Sequence, residues 1–79
     1  SIKIHGHTDS IGNQKYNLRL SFDRANTIKE FLSSKDLDSL INEIQGYGDK
    51  FPKESNKTET GRQKNRRVEV IIKYKQISH

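Results

Sequence analysis

The stretch from Asn13 to about Ser34 limits the fold of this chain more than any other part of it. At 100° per residue, Leu18, Ser21, Phe22, Ala25, Ile28 and Leu32 fall on one face. Arg19, Asp23, Asn26, Thr27 and Glu30 fall on the opposite face. The pattern predicts an amphipathic helix with Asn13 as its N-cap. Such a helix must lay its apolar stripe on something, and the flanking segments read as strands. Ile2 and Ile4 alternate with Lys3 and His5, as in a half-buried strand over residues 2–5. Ile41, Ile44 and Tyr47 mark a second strand near residues 43–48, where Gly46 and Gly48 point to a close backbone approach or a sharp exit.

A last strand is expected over about residues 67–74, with Val68, Val70, Ile72 and Tyr74 on one face and partial cover of Ile71 on the other. Between Asp49 and Lys64 there is no apolar period, so a loop is predicted, with a short helical turn near Glu59 to Gln63. A loop of that length inside a small domain is usually functional. The tail, Gln76 to His79, is expected to fray. The order strand, helix, strand, strand gives an α+β fold. Its strand–helix–strand unit implies a parallel pair joined by a crossover, to which the last strand adds antiparallel. With 79 residues, 29% of them hydrophobic, residues 1–79 make one domain with a thin core. That apolar fraction alone would permit disorder, but the apolar residues are gathered into periodic segments. The absence of cysteine excludes disulfides and thiolate metal sites. No apolar run approaches the roughly 18 residues of a membrane span. The first residue is Ser1 rather than methionine, so the chain is expected to be a fragment whose targeting signal lies elsewhere.

Between the two faces of the helix lies a flank carrying Asn17, Leu20, Arg24 and Phe31. Asn17 and Arg24 project in nearly the same direction, about 10 Å apart along the axis, where a groove between helix and sheet would open. Taken alone, Asp9 reads as a turn former accepting backbone N–H groups, and Arg24 as a surface arginine. Taken together they gain weight, because a helix beginning just after Asp9 carries its flank back past the strand end. A fixed carboxylate and a fixed guanidinium there suit a zwitterion, each charge-assisted hydrogen bond being worth about 1.5–3 kcal/mol.

Other constellations are weaker. His5, His7 and Asp9 read as H-x-H-x-D, and alternate strand residues do share a side, as metal ligands require. No histidine follows Asp9 except His79, so metal binding is the lesser reading; His7 is expected to order the turn and His5 to be exposed. Catalysis has no support. No second carboxylate stands near Asp9 to divide acid and base roles, and Ser10, Asp9 and His7 are too close in sequence to converge on one atom. No enzyme and no cofactor are expected. The net charge of +5 hints at an anionic partner. The dense run Arg62, Lys64, Arg66 and Arg67 allows an alternative, a basic nucleic-acid-binding module. That module would need aromatic residues interleaved with the basic ones, and around Arg62 to Arg67 there are none.

Two phrases remain. One is Gly6-His7-Thr8-Asp9-Ser10-Ile11-Gly12 followed by Asn17, Leu20, Ser21, Arg24 and Ala25. The other is Asn56-Lys57-Thr58, then Gly61-Arg62 and Asn65-Arg66-Arg67-Val68-Glu69-Val70. With Gly46, Gly48 and Pro52 between them, they resemble the OmpA-like peptidoglycan-binding domain, and the resemblance covers essentially all of the chain. It implies an OmpA-like β/α/β sandwich with a mixed sheet, here a partial domain lacking the family's first strand and helix. It implies non-covalent binding of peptidoglycan through the meso-diaminopimelate of the stem peptide, anchoring a membrane protein or lipoprotein to the cell wall. Asp9 and Arg24 would hold the amino-acid end of that residue, with Thr8, Asn17 and Arg66 lining the same pocket. Asn56 and Asn65 would shape the loop, Arg62 would pack or pair internally, and Glu69 would be a cross-strand or same-face partner. The implied partner is peptidoglycan rather than nucleic acid, with membrane attachment only through parts of the parent protein absent here. The implied location is the periplasm of Gram-negative bacteria, at the outer membrane or cell envelope. The parent protein and the oligomeric state are left open.

Overall fold

Asn13 does start the helix: its backbone is extended and its Oδ1 accepts the Tyr16 N–H at 2.7 Å. In the computed structural model, which describes residues 1–74, that helix is α1 (Gln14–Ser33). It follows β1 (Ile2–Gly6) and leads through a 3-10 turn at Asp38–Leu40 into β2 (Ile41–Gly46). A short helix, α2 (Glu59–Asn65), then precedes β3 (Val68–Ile72). The sheet order is β2-β1-β3, with β1 parallel to β2 and antiparallel to β3. The mixed sheet expected from the element order is therefore present. The expected tail, Gln76 to His79, lies outside the described residues.

Two glycines set the distance between helix and sheet. Gly6 and Gly46 are register partners in β1 and β2. A Cβ on Gly6 would stand 1.9 Å from the Ser21 carbonyl oxygen, and one on Gly46 would stand 2.4 Å from the Phe22 nitrogen. The backbone of α1 thus rests directly on the strand ends, a contact only glycine allows. Just beyond β2, Gly48 takes a positive φ of 62° and donates its N–H to Ser21 Oγ at 2.9 Å. The Gly48 carbonyl accepts the Thr8 N–H at 2.9 Å. Helix, β1 exit and β2 exit are tied together at one end of the sheet.

The core is Ile2, Ile4 and Ala25, with Ile28, Leu32, Ile41, Ile44 and Val68 packed against it. Phe22, expected on the buried stripe, is instead 45% exposed. The glycine seat explains this, since it leaves room under the helix only for small residues such as Ser21 and Ala25, both fully buried. The apolar face of β3 also departs from expectation. Val70 and Ile72 lie opposite Ile4 and Ile2 in register, hence on the core face, yet both are exposed. α1 lies over β1 and β2 and meets β3 only slightly.

The segment read as a loop with one helical turn contains a full short helix. Thr58 caps α2, its Oγ1 accepting the Gly61 N–H at 3.0 Å. The helix buries only Gly61 and Asn65, so it left no apolar period to detect. Asn65 organises the loop as expected. Its Oδ1 accepts the N–H groups of Lys53 and Glu54 at 2.8 and 2.9 Å. Its Nδ2 donates to the Glu54 carbonyl at 2.9 Å and to Asn56 Oδ1 at 2.8 Å. A fully buried amide with every group paired holds the loop and α2 in one arrangement. Among the described residues, no helix is long and apolar enough to cross a membrane.

Candidate functional site

Beyond β1, the chain runs His7, Thr8, Asp9 toward the start of α1. The His7 N–H donates to the Arg67 carbonyl at 2.9 Å, which clamps this exit to the residue before β3. Asp9 is 8% exposed. Its Oδ1 accepts the Ile11 N–H at 2.9 Å, the turn contact expected of it, and its Oδ2 accepts Arg66 Nη1 at 2.7 Å. Burial pushes the Asp9 carboxyl up, but the hydrogen bonds from Arg66 and Ile11 and the charges of Arg66 and Arg62 outweigh it. The carboxyl is held below its ordinary value and is ionised at neutral pH. Thr8 Oγ1 donates to the Asp9 carbonyl at 2.9 Å. Asn17 Nδ2, from the first turns of α1, donates to the Ile11 carbonyl at 3.1 Å and more weakly to the Asp9 carbonyl at 3.5 Å.

The structure therefore gathers Thr8, Asp9, Asn17 and Arg66 at one end of the sheet. Arg24 stands on the same helix as Asn17, half-buried, and makes no ion pair among the described residues. It makes no hydrogen bond or ion pair with Asp9. The cation that does is Arg66, delivered by the end of α2.

Sequence reasoning missed Glu59. Its Oε1 accepts Arg66 Nη2 at 2.7 Å, and its Oε2 accepts Arg62 Nε at 3.1 Å. Arg62 Nη1 in turn donates to the Asn56 carbonyl at 2.9 Å. Hydrogen bonds from Arg66 and Arg62 hold the Glu59 carboxyl below its ordinary value. Those from Glu59 and Asp9 raise Arg66 above its own. The spacing of Glu59, Arg62 and Arg66 on a helix, i, i+3 and i+7, was the available signal. It was legible only once a helix was placed there. Arg67 turns elsewhere, to Glu69 at 2.8 Å and to the Phe51 carbonyl at 3.1 Å. The basic run is thus largely committed to carboxylates, with Lys64 exposed.

On the sheet face away from α1, His5 is not exposed as expected but half-buried, with Nε2 2.6 Å from Glu43 Oε2. His7 is buried, stacked on Tyr47 at 5.7 Å between ring centres, and neither ring nitrogen has a hydrogen-bond partner in the protein. Glu69 Oε1 lies 3.6 Å from His7 Nε2, too far for a hydrogen bond. His7 therefore orders the turn through its backbone, not through its ring. Burial lowers the His7 pKa, and the charges of Arg67 and His5 add to this against the opposing pull of Glu69. A lowered folded value means that the unfolded chain takes up the proton first. The stability due to neutral His7 is complete above about pH 6.5 and is lost as pH falls from there through the lowered folded value. His7→Phe keeps a ring against Tyr47 and removes the titration. The drop in melting temperature between pH 7.5 and 5 is expected to be shallower in this variant, and an identical slope would assign the drop to other groups. Among the described residues no three His, Cys, Asp or Glu side chains gather as metal ligands would. A shallow hollow on α1, lined by Asn13, Lys15, Tyr16 and Arg19, includes none of the residues gathered around Asp9.

Among protein-family models, that of the OmpA family matches residues 1–66. Outer membrane protein A of Bordetella avium is 48% identical over 67 residues, which are 85% of this chain and 34% of that protein. The peptidoglycan-associated lipoprotein from Burkholderia pseudomallei superposes with a TM-score of 0.83 at 30% identity, over 89% of this chain and 59% of that one. The cell wall anchor of the T6SS from Pseudomonas aeruginosa superposes with a TM-score of 0.74 at 31% identity, over 89% of this chain and 52% of that one. The chain thus spans about a third of this curated relative and little more than half of these solved chains.

Proposed function

Because this chain belongs to the OmpA family, we propose that it binds peptidoglycan non-covalently through the meso-diaminopimelate of the stem peptide. By doing so it anchors the membrane protein or lipoprotein that carries it to the cell wall. The family is non-enzymatic, and the site is read as a clamp rather than a catalyst. The observation that carries this reading is Asp9: a nearly buried carboxylate, kept ionised, at the exit of a strand and beside a helix flank. Asp9 takes the ligand's ammonium. Arg24, half-buried and without an ion pair among the described residues, takes its carboxylate. Thr8, Asn17 and Arg66 line the pocket, the first two by fixing the backbone around Asp9. The match to a peptidoglycan-associated lipoprotein and to a cell wall anchor supports the ligand class. The match to an outer membrane protein supports a place in the cell envelope, and binding to the cell wall would put the domain on the periplasmic side.

Ligand chemistry tests the roles. A lysine-containing stem peptide lacks the second carboxylate that Arg24 would hold. Muropeptides containing meso-diaminopimelate are expected to bind at least about ten-fold tighter than lysine-containing ones, the equivalent of one charge-assisted hydrogen bond. Titration calorimetry with both peptides measures this, and equal affinities would remove Arg24 from the site.

A further inference from the structure

We infer that Glu59 is a positioning residue that sets the site's preference for an ammonium, by holding Arg66 so that Asp9 is only partly engaged. This rests on reading Asp9 as the group that receives the ligand's ammonium. An arginine facing a single carboxylate commonly takes it through two parallel N–H···O bonds. Here Arg66 divides its two terminal nitrogens, Nη1 to Asp9 Oδ2 and Nη2 to Glu59 Oε1, each at 2.7 Å. Glu59 is itself fixed through its other oxygen by Arg62, whose Nη1 is tied to the Asn56 carbonyl. Glu59 and Arg62 lie on α2 and Arg66 is the residue that caps its end, so one element and its cap present the whole relay to Asp9.

Two consequences follow for the ligand. The first is capacity. A carboxylate offers about four acceptor positions, and at Asp9 the Ile11 N–H and one Arg66 N–H occupy two of them. An unrestrained Arg66 would turn both of its ends onto Asp9 and take a third position, leaving an incoming ammonium one acceptor site where it now has two. The second is charge. Asp9 and Arg66 alone form a neutral pair with little pull on a cation, whereas the Glu59 carboxylate on the far end of the same guanidinium offsets the arginine's charge. Glu59 thereby leaves Asp9 acting as an anion toward a ligand.

The test uses the full chain, titrated with a meso-diaminopimelate muropeptide and with the same muropeptide N-acetylated on its free diaminopimelate amine. The parent is expected to prefer the free amine. Glu59→Gln is expected to weaken binding of the free-amine ligand about five-fold, the size of an exposed ion-pair effect, and to leave the acetylated ligand almost unchanged. The side chain of Glu59 is 65% exposed, so the variant should fold, and its melting temperature is measured alongside. A merely structural role would weaken both ligands together and leave the preference intact, which overturns the inference. Asp9→Asn separates the two levels. If it destroys the preference while Glu59→Gln does not alter it, the role of Glu59 falls and the site stands. If Asp9→Asn also leaves both affinities unchanged, the reading of the site falls with it.

Discussion

Asp9→Asn is expected to remove most binding to purified sacculi while the domain still folds. Asparagine keeps the shape and can still accept the Ile11 N–H, so the turn into α1 survives. What disappears is the charge. Loss of one or two charge-assisted hydrogen bonds at about 1.5–3 kcal/mol each corresponds to roughly a 10-fold to more than 100-fold weaker affinity. Arg66 is not stranded, because Glu59 continues to hold it. Some stability should go, since the folded-state pKa of Asp9 is lowered. The sign is that of a depressed carboxyl: its contribution is present above the unfolded value of about 3.9 and is lost as pH falls through the folded value. The melting gap between parent and variant should therefore close in acid. Arg24→Ala is expected to give a similar loss of binding from a helix flank outside the core. Pull-down on sacculi alongside thermal melting measures both variants. Normal melting with parental binding would move the pocket away from Asp9 and Arg24, and deep destabilisation would make them structural.

Gly6→Ala is expected to have the largest effect on the fold. Its new methyl would stand 1.9 Å from a backbone oxygen of α1, and backbone cannot swing aside as a side-chain tip can. Moving the helix off β1 would also disturb the Gly46 seat and the Ser21–Gly48 hydrogen bond. Overpacking of a core costs about 1–3 kcal/mol and occasionally more, and a clash of backbone with backbone where α1 is seated on the strand ends belongs at the upper end. At 3 kcal/mol a domain of this size loses about 12 °C or more of melting temperature, out of a total stability of roughly 4–12 kcal/mol. Circular dichroism melts decide it. A variant melting within a few degrees of the parent would mean that α1 is not seated on this glycine.

The residue pattern by itself determined the elements that obey a period. Alternation placed β1, the hundred-degree spacing with Asn13 placed α1, and the strand–helix–strand order placed β1 and β2 as a parallel pair. The two phrases around Asp9 and Arg66 identified the family and put Thr8, Asp9 and Asn17 within reach of one another, because residues so close in sequence are held together by local turn geometry.

Tertiary structure alone decided the rest. A helical wheel cannot know how near the helix will sit to the sheet. It was the Gly6–Gly46 seat that buried Ser21 and left Phe22 in solvent. α2 buries too little apolar surface to show a period, so only a single turn near Glu59 to Gln63 was legible along the chain, and the Glu59–Arg66 contact was not. The pairing of Asp9 with Arg66 rather than with Arg24 joins residues from opposite ends of the domain. Their separation is fixed by sheet order and by the loop that Asn65 holds, and local spacing carries no record of either.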